Sequence, residues 1–273
     1  MIKRLLRNKV AVTGAVIIVL MTLIALAAPL LTRYSPTALA VKDRMLPPGG
    51  AHLMGTDEFG RDVYARVIYG SRLSLIVGGA TVVLSCLIGV PVGVAAAYYR
   101  RVDATVMRLM DGLMALPGIL LAIAIMAALG PQVGNVIFAL TVVNVPRVAR
   151  VTRSAAIVIR QNLYVEAAEA LGAKDVSILW KHILPNCLSP VIVQATFLFA
   201  TAVLSEASLS FLGVGAPPDV PSWGVVLAEG KQFMREAPWL TLFPGIAIAI
   251  VVMGLNLFGD GLRDALDPRL KDL

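Results

Sequence analysis

The sequence has 273 residues, of which 58% are hydrophobic, and a formal net charge of +7. Soluble domains are roughly 45–50% apolar, so this composition argues against a soluble protein and predicts an integral membrane protein with its helices packed within a lipid bilayer. The basic residues lie between apolar segments and form no stripe, so they favour a role in membrane topology over a nucleic-acid partner.

The first apolar run, Val10 to Leu31, follows a basic N-terminal tail. Ala25-Leu26-Ala27 suggests a signal-peptide cleavage pattern, which is the alternative interpretation. The run is 22 residues long, however, whereas the apolar core of a signal peptide is about 7–15 residues. About 20 residues cross a bilayer as a helix, so the run predicts an uncleaved first span.

The next segment, Thr32 to Arg72, is polar and rich in proline and glycine, and it predicts an external segment. Near its end, Gly55 to Asp62 predicts a turn before a helix. Apolar groups then recur on one helical face, which predicts a short helix lying along the membrane surface. The residues on that face are Phe59, Val63, Tyr64, Val67 and Ile68. We divide the chain after this segment, into residues 1–72 and a core of five transmembrane helices at 73–273.

Three more spans precede the centre of the chain. They are Leu73–Tyr99, about Gly112–Leu129 with a kink at Pro117, and a fourth that begins near Val133 after a tight Gly130-Pro131 turn. Ser85, Gly89 and Gly93 recur every four residues in the second span. Such a stripe of small residues predicts close packing against another helix.

A polar insert, Tyr164 to Asn186, predicts two short helices joined by a turn. The first contains good helix formers and ends at Gly172, where a left-handed cap favours glycine. Asp175 is predicted to cap the second helix, Val176 to Leu184, and Pro185 to end it. Ala167 and Ala168 leave room for another protein to approach closely, although a solvated hairpin between two spans would also fit.

The remainder predicts a fifth span, Ser189–Leu212, an external loop, Gly213–Pro238, a sixth span, Leu240–Phe258, and a short charged tail. Trp223 and Trp239 near the span ends fit an interfacial aromatic belt. With both termini and the central insert in the cytoplasm, sixteen Lys and Arg residues lie inside and eight outside. This bias agrees with the positive-inside rule.

The residues of an enzyme site are missing from the sequence. There is no GxxxxGK[ST] phosphate loop, and the two histidines, His52 and His182, are placed on opposite sides of the membrane. Cys86 and Cys187 are expected to be buried thiols. We therefore predict no catalytic residues, cofactor or metal site. Glu206 is the one carboxylate well inside a predicted span, and a translocation-path role and a structural role both remain open.

The pattern Glu166-Ala167-Ala168, three residues, Gly172, then Leu184-Pro185 resembles the EAA loop of permease subunits in ABC importers. His182 stands where the general pattern has isoleucine, which is similar to the variant of peptide and nickel importer permeases. Further strings resemble the C-type permease of dipeptide, oligopeptide and nickel importers along nearly the whole chain. They are GTDEFGRDV, RRVDATVMRLMD, EASLSFLG, PSWG and GDGLRDALDPRL.

This resemblance implies the six-helix type I ABC importer permease fold, with residues of about 160–186 as a cytoplasmic loop that couples to the ATPase. The implied partners are a second homologous permease subunit, two ATP-binding subunits that carry out the hydrolysis, and an external solute-binding protein. The implied cargo is a dipeptide or longer peptide, with glutathione or a nickel chelate as alternatives. An ion-coupled secondary carrier is the competing function, but five of the six predicted spans lack interior ionisable groups.

Overall fold

The computed structural model describes residues 8–266, so the basic residues before Asn8 and the end of the tail lie outside the described part. The described chain is predominantly helical. In chain order the helices are α1 (Lys9–Leu26), α2 (Ala28–Leu31), α3 (Val63–Tyr98), α4 (Arg100–Met114), α5 (Gly118–Leu129), α6 (Val133–Arg160), α7 (Leu163–Ala170), α8 (Asp175–Ile178), α9 (Leu184–Phe211), α10 (Trp223–Gly230) and α11 (Trp239–Leu266). A π-helical segment, Leu179–Ile183, joins α8 to α9 without a break.

Four helical stretches in residues 8–266 are long and apolar enough to cross a membrane: α1, α3, the continuous stretch Asp175–Phe211, and α11. The pair α4 and α5 adds a fifth if it is counted as one span bent by 90°. Helix α6 is also long, at 28 residues, but it contains four arginines and is not among these spans. The all-helical membrane fold is therefore confirmed, and the count of six spans is not.

The predicted stripe of small residues lies where α3 packs against α6. A side chain added at Gly89 would overlap Val148, and one added at Gly93 would overlap the backbone oxygen of Ala149. Ser85, one turn earlier, is fully buried. The stripe thus allows the close backbone approach that the spacing predicted.

A second close approach joins the two ends of the chain. Gly14 of α1 lies against the backbone of Gly254 and Phe258 in α11, and Gly261 lies against Ala11. Since a Cβ at either glycine would overlap backbone atoms, α1 and α11 pack almost backbone to backbone. This contact fixes the first span against the last one.

The prediction of a surface helix around Phe59 to Ile68 is wrong. Phe59 lies in a turn, and Val63 is instead the first residue of α3, which continues for 36 residues. Asp62 caps this helix, because its carboxylate accepts a hydrogen bond from the Ala65 amide at 2.7 Å. Val63 and Val67 are buried in the core rather than in lipid headgroups. The division after residue 72 falls inside α3 and stays a prediction.

The expected kink at Pro117 is a sharp corner. Helix α4 ends at Met114, Pro117 precedes α5, and the two axes meet at 90°. The expected turn before α6 is confirmed, with Gly130 at φ +86°. Because proline disfavours helical geometry in the residue before it, the predicted single span is divided into two helices.

The segment between α9 and α11 contains a helix, α10, that the loop prediction lacked. Trp223, its first residue, is completely buried, and its indole N–H donates to the Val67 carbonyl at 2.9 Å. The assignment of Trp223 to an interfacial belt is therefore wrong, because this side chain fills the core between α3 and α10. The indole N–H of Trp239 donates to the Thr56 carbonyl at 3.1 Å.

Candidate functional site

The turn of the central segment has the geometry that the sequence predicted. Helix α7 ends at Ala170, and Gly172 follows with φ +77°. The Gly172 amide donates to the Glu169 carbonyl at 3.0 Å, and the Ala173 amide donates to the Ala168 carbonyl at 3.1 Å. These two bonds form a Schellman cap, so the left-handed residue between α7 and α8 is required by the turn itself.

Two details of the second short helix differ from the prediction. Asp175 is the first residue of α8 rather than its cap, and its carboxylate binds other side chains. Pro185 does not end the helix, which continues into α9 as far as Phe211. In the π-helical segment before it, the Leu184 amide donates to the Leu179 carbonyl, five residues back. This wider turn accommodates a proline that has no amide hydrogen to donate.

The predicted coupling residues occupy two separate places. Glu166 and Ala167 are exposed on α7, Ala168 is half-buried beside them, and Gly172 is exposed at the turn. Leu184 and Pro185 lie on the first turn of α9, where Leu184 is half-buried and Pro185 is exposed. The structure therefore brings the Glu-Ala-Ala group and the glycine into one small surface. The Leu-Pro pair forms the base of the following span.

Large apolar side chains that were not predicted from the sequence surround this surface. Leu163 is 81% exposed, Leu171 is 88% exposed and Val176 is 63% exposed. We call these three residues, with Glu166, Ala167 and Gly172, the loop surface. Helical periodicity could have indicated their exposure, because the buried Val165 and Ile178 take the positions of these two short helices that face the core.

The loop surface is held from below by apolar packing. Val165, Ile178 and Ile183 are each at most 1% exposed. They belong to a core that also contains Val90 and Val94 of α3. This base leaves α7 as a short platform that projects from the ends of the long helices.

A polar junction ties the same platform to the ends of α3 and α6. The hydroxyls of Tyr98 and Tyr99 donate to the two carboxylate oxygens of Asp175, at 2.9 and 3.4 Å. Arg160, the last residue of α6, donates to the Tyr98 carbonyl at 3.1 Å and lies over the Tyr98 ring at 4.6 Å. Its Nε is 3.9 Å from Glu169 on α7. We call these five residues the tyrosine junction.

Two ion pairs attach α4 to α6 near this junction. Arg153 donates to both carboxylate oxygens of Asp103, at 2.5 and 2.7 Å, and Arg150 donates to Asp111 at 2.6 Å. The bidentate geometry of the first pair fixes the orientation of the two helices as well as their distance. Arg153, which the sequence assigned to topology, thus also orients α4 against α6.

The opposite end of α3 carries a buried ion network that sequence analysis did not find. Arg66, at 2% exposed, donates to Asp57 at 2.7 Å and also to Glu229 of α10. Arg61 donates to Asp57 at 2.6 Å and to Glu229 at 2.9 Å. We call these four residues the Arg66 network. It holds the turn before α3 against α10, and only long-range contacts reveal it.

Glu206 lies inside α9 and is completely buried. Its carboxylate accepts hydrogen bonds from the hydroxyls of Ser74 and Ser210, each at 2.9 Å. Ser74 belongs to α3, so the carboxylate bridges two long helices. Ser210 in turn accepts from the Ala216 amide at 3.2 Å, which links Glu206 to the chain that leads to α10.

Residues 89–272 match the family described as the binding-protein-dependent transport system inner membrane component. Residues 1–48 match the N-terminal transmembrane domain of oligopeptide transport permease C. The chain belongs to this family of ABC importer permeases. The resemblance to peptide-importer permeases is confirmed, and the chain is a multi-pass inner-membrane protein.

The relatives of this permease include several with substrates in their names. It is 52% identical to a putative peptide transport system permease protein of Brucella abortus, over 98% of this chain and 91% of the relative. It is 47% identical to the dipeptide transport system permease protein DppC of Alkalihalophilus pseudofirmus, over 98% and 89% of the two chains. It is 41% identical to the glutathione transport system permease protein GsiD of Pectobacterium atrosepticum, over 98% and 90%.

A solved structure shares the fold of this permease. It is a chain of the MetNI methionine ABC transporter in an inward-facing conformation, with a TM-score of 0.61 and 23% sequence identity. The match covers 74% of this chain and 96% of the other. It supports the helical arrangement of an importer permease.

Proposed function

We propose that this permease forms the translocation path for peptides that an external binding protein delivers, and that separate ATP-binding subunits drive it through the loop surface. The observation that carries the proposal is the exposure of Leu163, Leu171 and Val176 on a polar loop. Large apolar side chains gathered on a surface outside the lipid mark a site for another protein. The resemblance of the Glu-Ala-Ala segment to the EAA loop supports the ATPase as that protein.

The shape of the loop surface supports docking of a folded partner. Ala167 presents only a methyl group, so the partner backbone can approach α7 closely. Glu166 and Glu169 on either side add negative charge at the rim, which favours a basic rim on the partner. The apolar base under Val165 and Ile178 holds the platform in one position, so little ordering is needed on docking.

The charge distribution gives the proposed orientation. With both termini and the loop surface in the cytoplasm, the inside segments carry twice as many basic residues as the outside segments. The Arg66 network and α10 then lie on the external side, where a binding protein would deliver cargo. A second homologous permease would complete the path, with one ATP-binding subunit on each loop surface.

The proposed cargo is a short peptide. Three relatives carry peptide, dipeptide and glutathione in their names, and glutathione is itself a modified tripeptide. A nickel chelate remains the alternative cargo within the same function. The test is uptake by the assembled transporter in proteoliposomes of labelled alanyl-alanine, glutathione and chelated nickel. We expect uptake of alanyl-alanine to be highest, and preferential uptake of nickel would reject the peptide assignment.

An ion-coupled carrier is the competing function, and Glu206 is the residue on which it would depend. Both carboxylate oxygens of Glu206 already accept bonds from serine hydroxyls in a fully buried site, which favours a structural role. Uptake should therefore require ATP on the side of the loop surface. Uptake that persists without ATP and ends when the ion gradient is abolished would establish the carrier instead.

Contact with the ATPase can be tested directly by cross-linking. A Leu171→Cys permease should form a cross-link with the ATP-binding subunit in membranes, because this side chain is the most exposed large apolar group of the loop surface. Gln232→Cys, on the segment after α10, is the matched control and should give none. A cross-link from residue 232 but not from residue 171 would contradict the docking site.

A further inference from the structure

The tyrosine junction and the Arg66 network lie at opposite ends of a single helix. Tyr98 is the last residue of α3, and Arg66 is in its first turn. At 1.5 Å per residue, the 36 residues of α3 span about 54 Å. One continuous helix therefore runs from the segment that precedes α3 to the tyrosine junction, which lies beside the loop surface.

We infer that Tyr98 and Tyr99, acting through Asp175, are positioning residues that transmit movement of the loop surface to α3 and, through α3, to the Arg66 network. The inference deepens the proposed function and rests on it, because it assumes that an ATPase moves the loop.

The tyrosine junction is suited to this role by its chemistry. Tyr98 donates to one carboxylate oxygen of Asp175 at 2.9 Å, the neighbouring Tyr99 makes a longer contact of 3.4 Å with the other oxygen, and Asp175 is the first residue of α8. The apolar contacts beneath the loop support it but are non-directional. Hydrogen bonds to a charged group are directional and roughly twice as strong as neutral ones. The junction thus sets the position of the loop relative to α3.

Helix α3 is suited to carry the movement. Pro91 lies within it, one point where a helix can bend. However, Gly89 and Gly93 on either side of this proline pack directly against α6. Arg160 also joins the Tyr98 carbonyl to the end of α6. The last part of α3, from Gly89 to Tyr98, is therefore held against α6, so a displacement of Asp175 is passed along α3 rather than absorbed by a bend at Pro91.

The far end of α3 is fixed by charges rather than by apolar packing alone. Arg66 is buried and bonds both Asp57 and Glu229, so a shift of α3 changes the geometry between the turn before α3 and α10. A buried ion network responds steeply to small displacements, because its energy depends on well-formed geometry. Movement at one end of the permease thereby reaches the other.

The test uses the complete transporter with its binding protein in proteoliposomes, with labelled alanyl-alanine as the probe. The Tyr98→Phe/Tyr99→Phe variant keeps both rings and removes only the hydroxyls. We expect the ratio of peptide transported to ATP hydrolysed to fall roughly fivefold or more. This is the size of effect expected from losing one or two hydrogen bonds. Asp175→Ala should give the same loss, and the triple variant should fall no further, since the three groups act as one unit.

The control is Tyr69→Phe, on the same helix but away from the junction, which should leave the ratio unchanged. Thermal stability and the Leu171→Cys cross-link to the ATPase are measured in every variant. The inference is supported if the ratio falls while the cross-link and stability are retained. An unchanged ratio overturns it, and so does loss of the cross-link or of stability in the junction variants, because Asp175 would then serve docking or folding. If Leu171→Cys gives no cross-link to the ATPase while Tyr98, Tyr99 and Asp175 are unchanged, the proposed function itself is overturned.

Discussion

Gly172→Val should disable coupling without unfolding the permease. Gly172 adopts φ +77°, and an added Cβ would meet no atom within 4 Å. The cost of the substitution is therefore backbone strain alone. An L-residue in the left-handed region costs about 1–2 kcal/mol, and a β-branched residue is a pronounced outlier there. Since about 1.4 kcal/mol is a factor of ten, the native turn should fall roughly tenfold or more in population.

The strain can be relieved locally because the turn is exposed. Rearranging it breaks the two Schellman bonds from Gly172 and Ala173, and the apolar base of the loop stays in place. Gly93 provides the contrast, because a side chain there would overlap the backbone of α6. Gly93→Val should therefore lower the amount of folded permease, whereas Gly172→Val should change only the orientation of α7 relative to α8.

The assay compares peptide uptake, ATP hydrolysis stimulated by binding protein, and thermal stability of the purified complex. Gly172→Val should keep its stability and lose most of its uptake. Gly172→Asn should keep more uptake than Gly172→Val, because asparagine tolerates the left-handed region. Gly134→Val is the matched control, since that site is also open but has no positive φ. Wild-type uptake by Gly172→Val would refute the link between this turn and coupling.

Two further predictions concern the orientation and the buried charges. In intact cells, a cysteine at Lys174 should be protected from an impermeant thiol reagent while one at Gln232 reacts; strong labelling at 174 would invert the proposed topology. Arg66→Met should destabilise the complex, but by less than the about 3–5 kcal/mol expected for breaking a fully buried pair, because Arg61 still bonds both Asp57 and Glu229. An unchanged melting temperature for Arg66→Met would show that the network contributes little to stability.

The sequence predicted best those features that depend on neighbouring residues. The positive φ at Gly172, the turn at Gly130 and the bend at Pro117 are all local consequences of glycine and proline geometry. The small-residue stripe at Gly89 and Gly93 was also visible, because its period places both residues on one face. Apolar runs also located α9 and α11, although the predicted ends differ from the observed ones by between one and eight residues.

The features that were missed depend on residues far apart in the chain. Asp57 and Arg66 lie beside Glu229 only in the folded protein, so a local pattern gives no sign of the network. Trp223 looked like an interfacial residue because its partner, the Val67 carbonyl, lies on another helix. The rule that proline ends a helix failed at Pro185, because the π-helical turn before it changes the hydrogen-bond register.

Glu206 allows the structural and translocation roles to be separated by two substitutions. Glu206→Gln keeps one accepting oxygen, and its amide can donate to a serine oxygen, because a hydroxyl both donates and accepts. If the carboxylate only bridges α3 and α9, this variant should retain uptake and stability. Glu206→Leu should instead destabilise the complex, since the hydroxyl hydrogens of Ser74 and Ser210 lose their acceptor, at a cost of about 1–3 kcal/mol each. A stable Glu206→Gln complex that binds its ATPase normally but no longer transports would place the carboxylate in the translocation path.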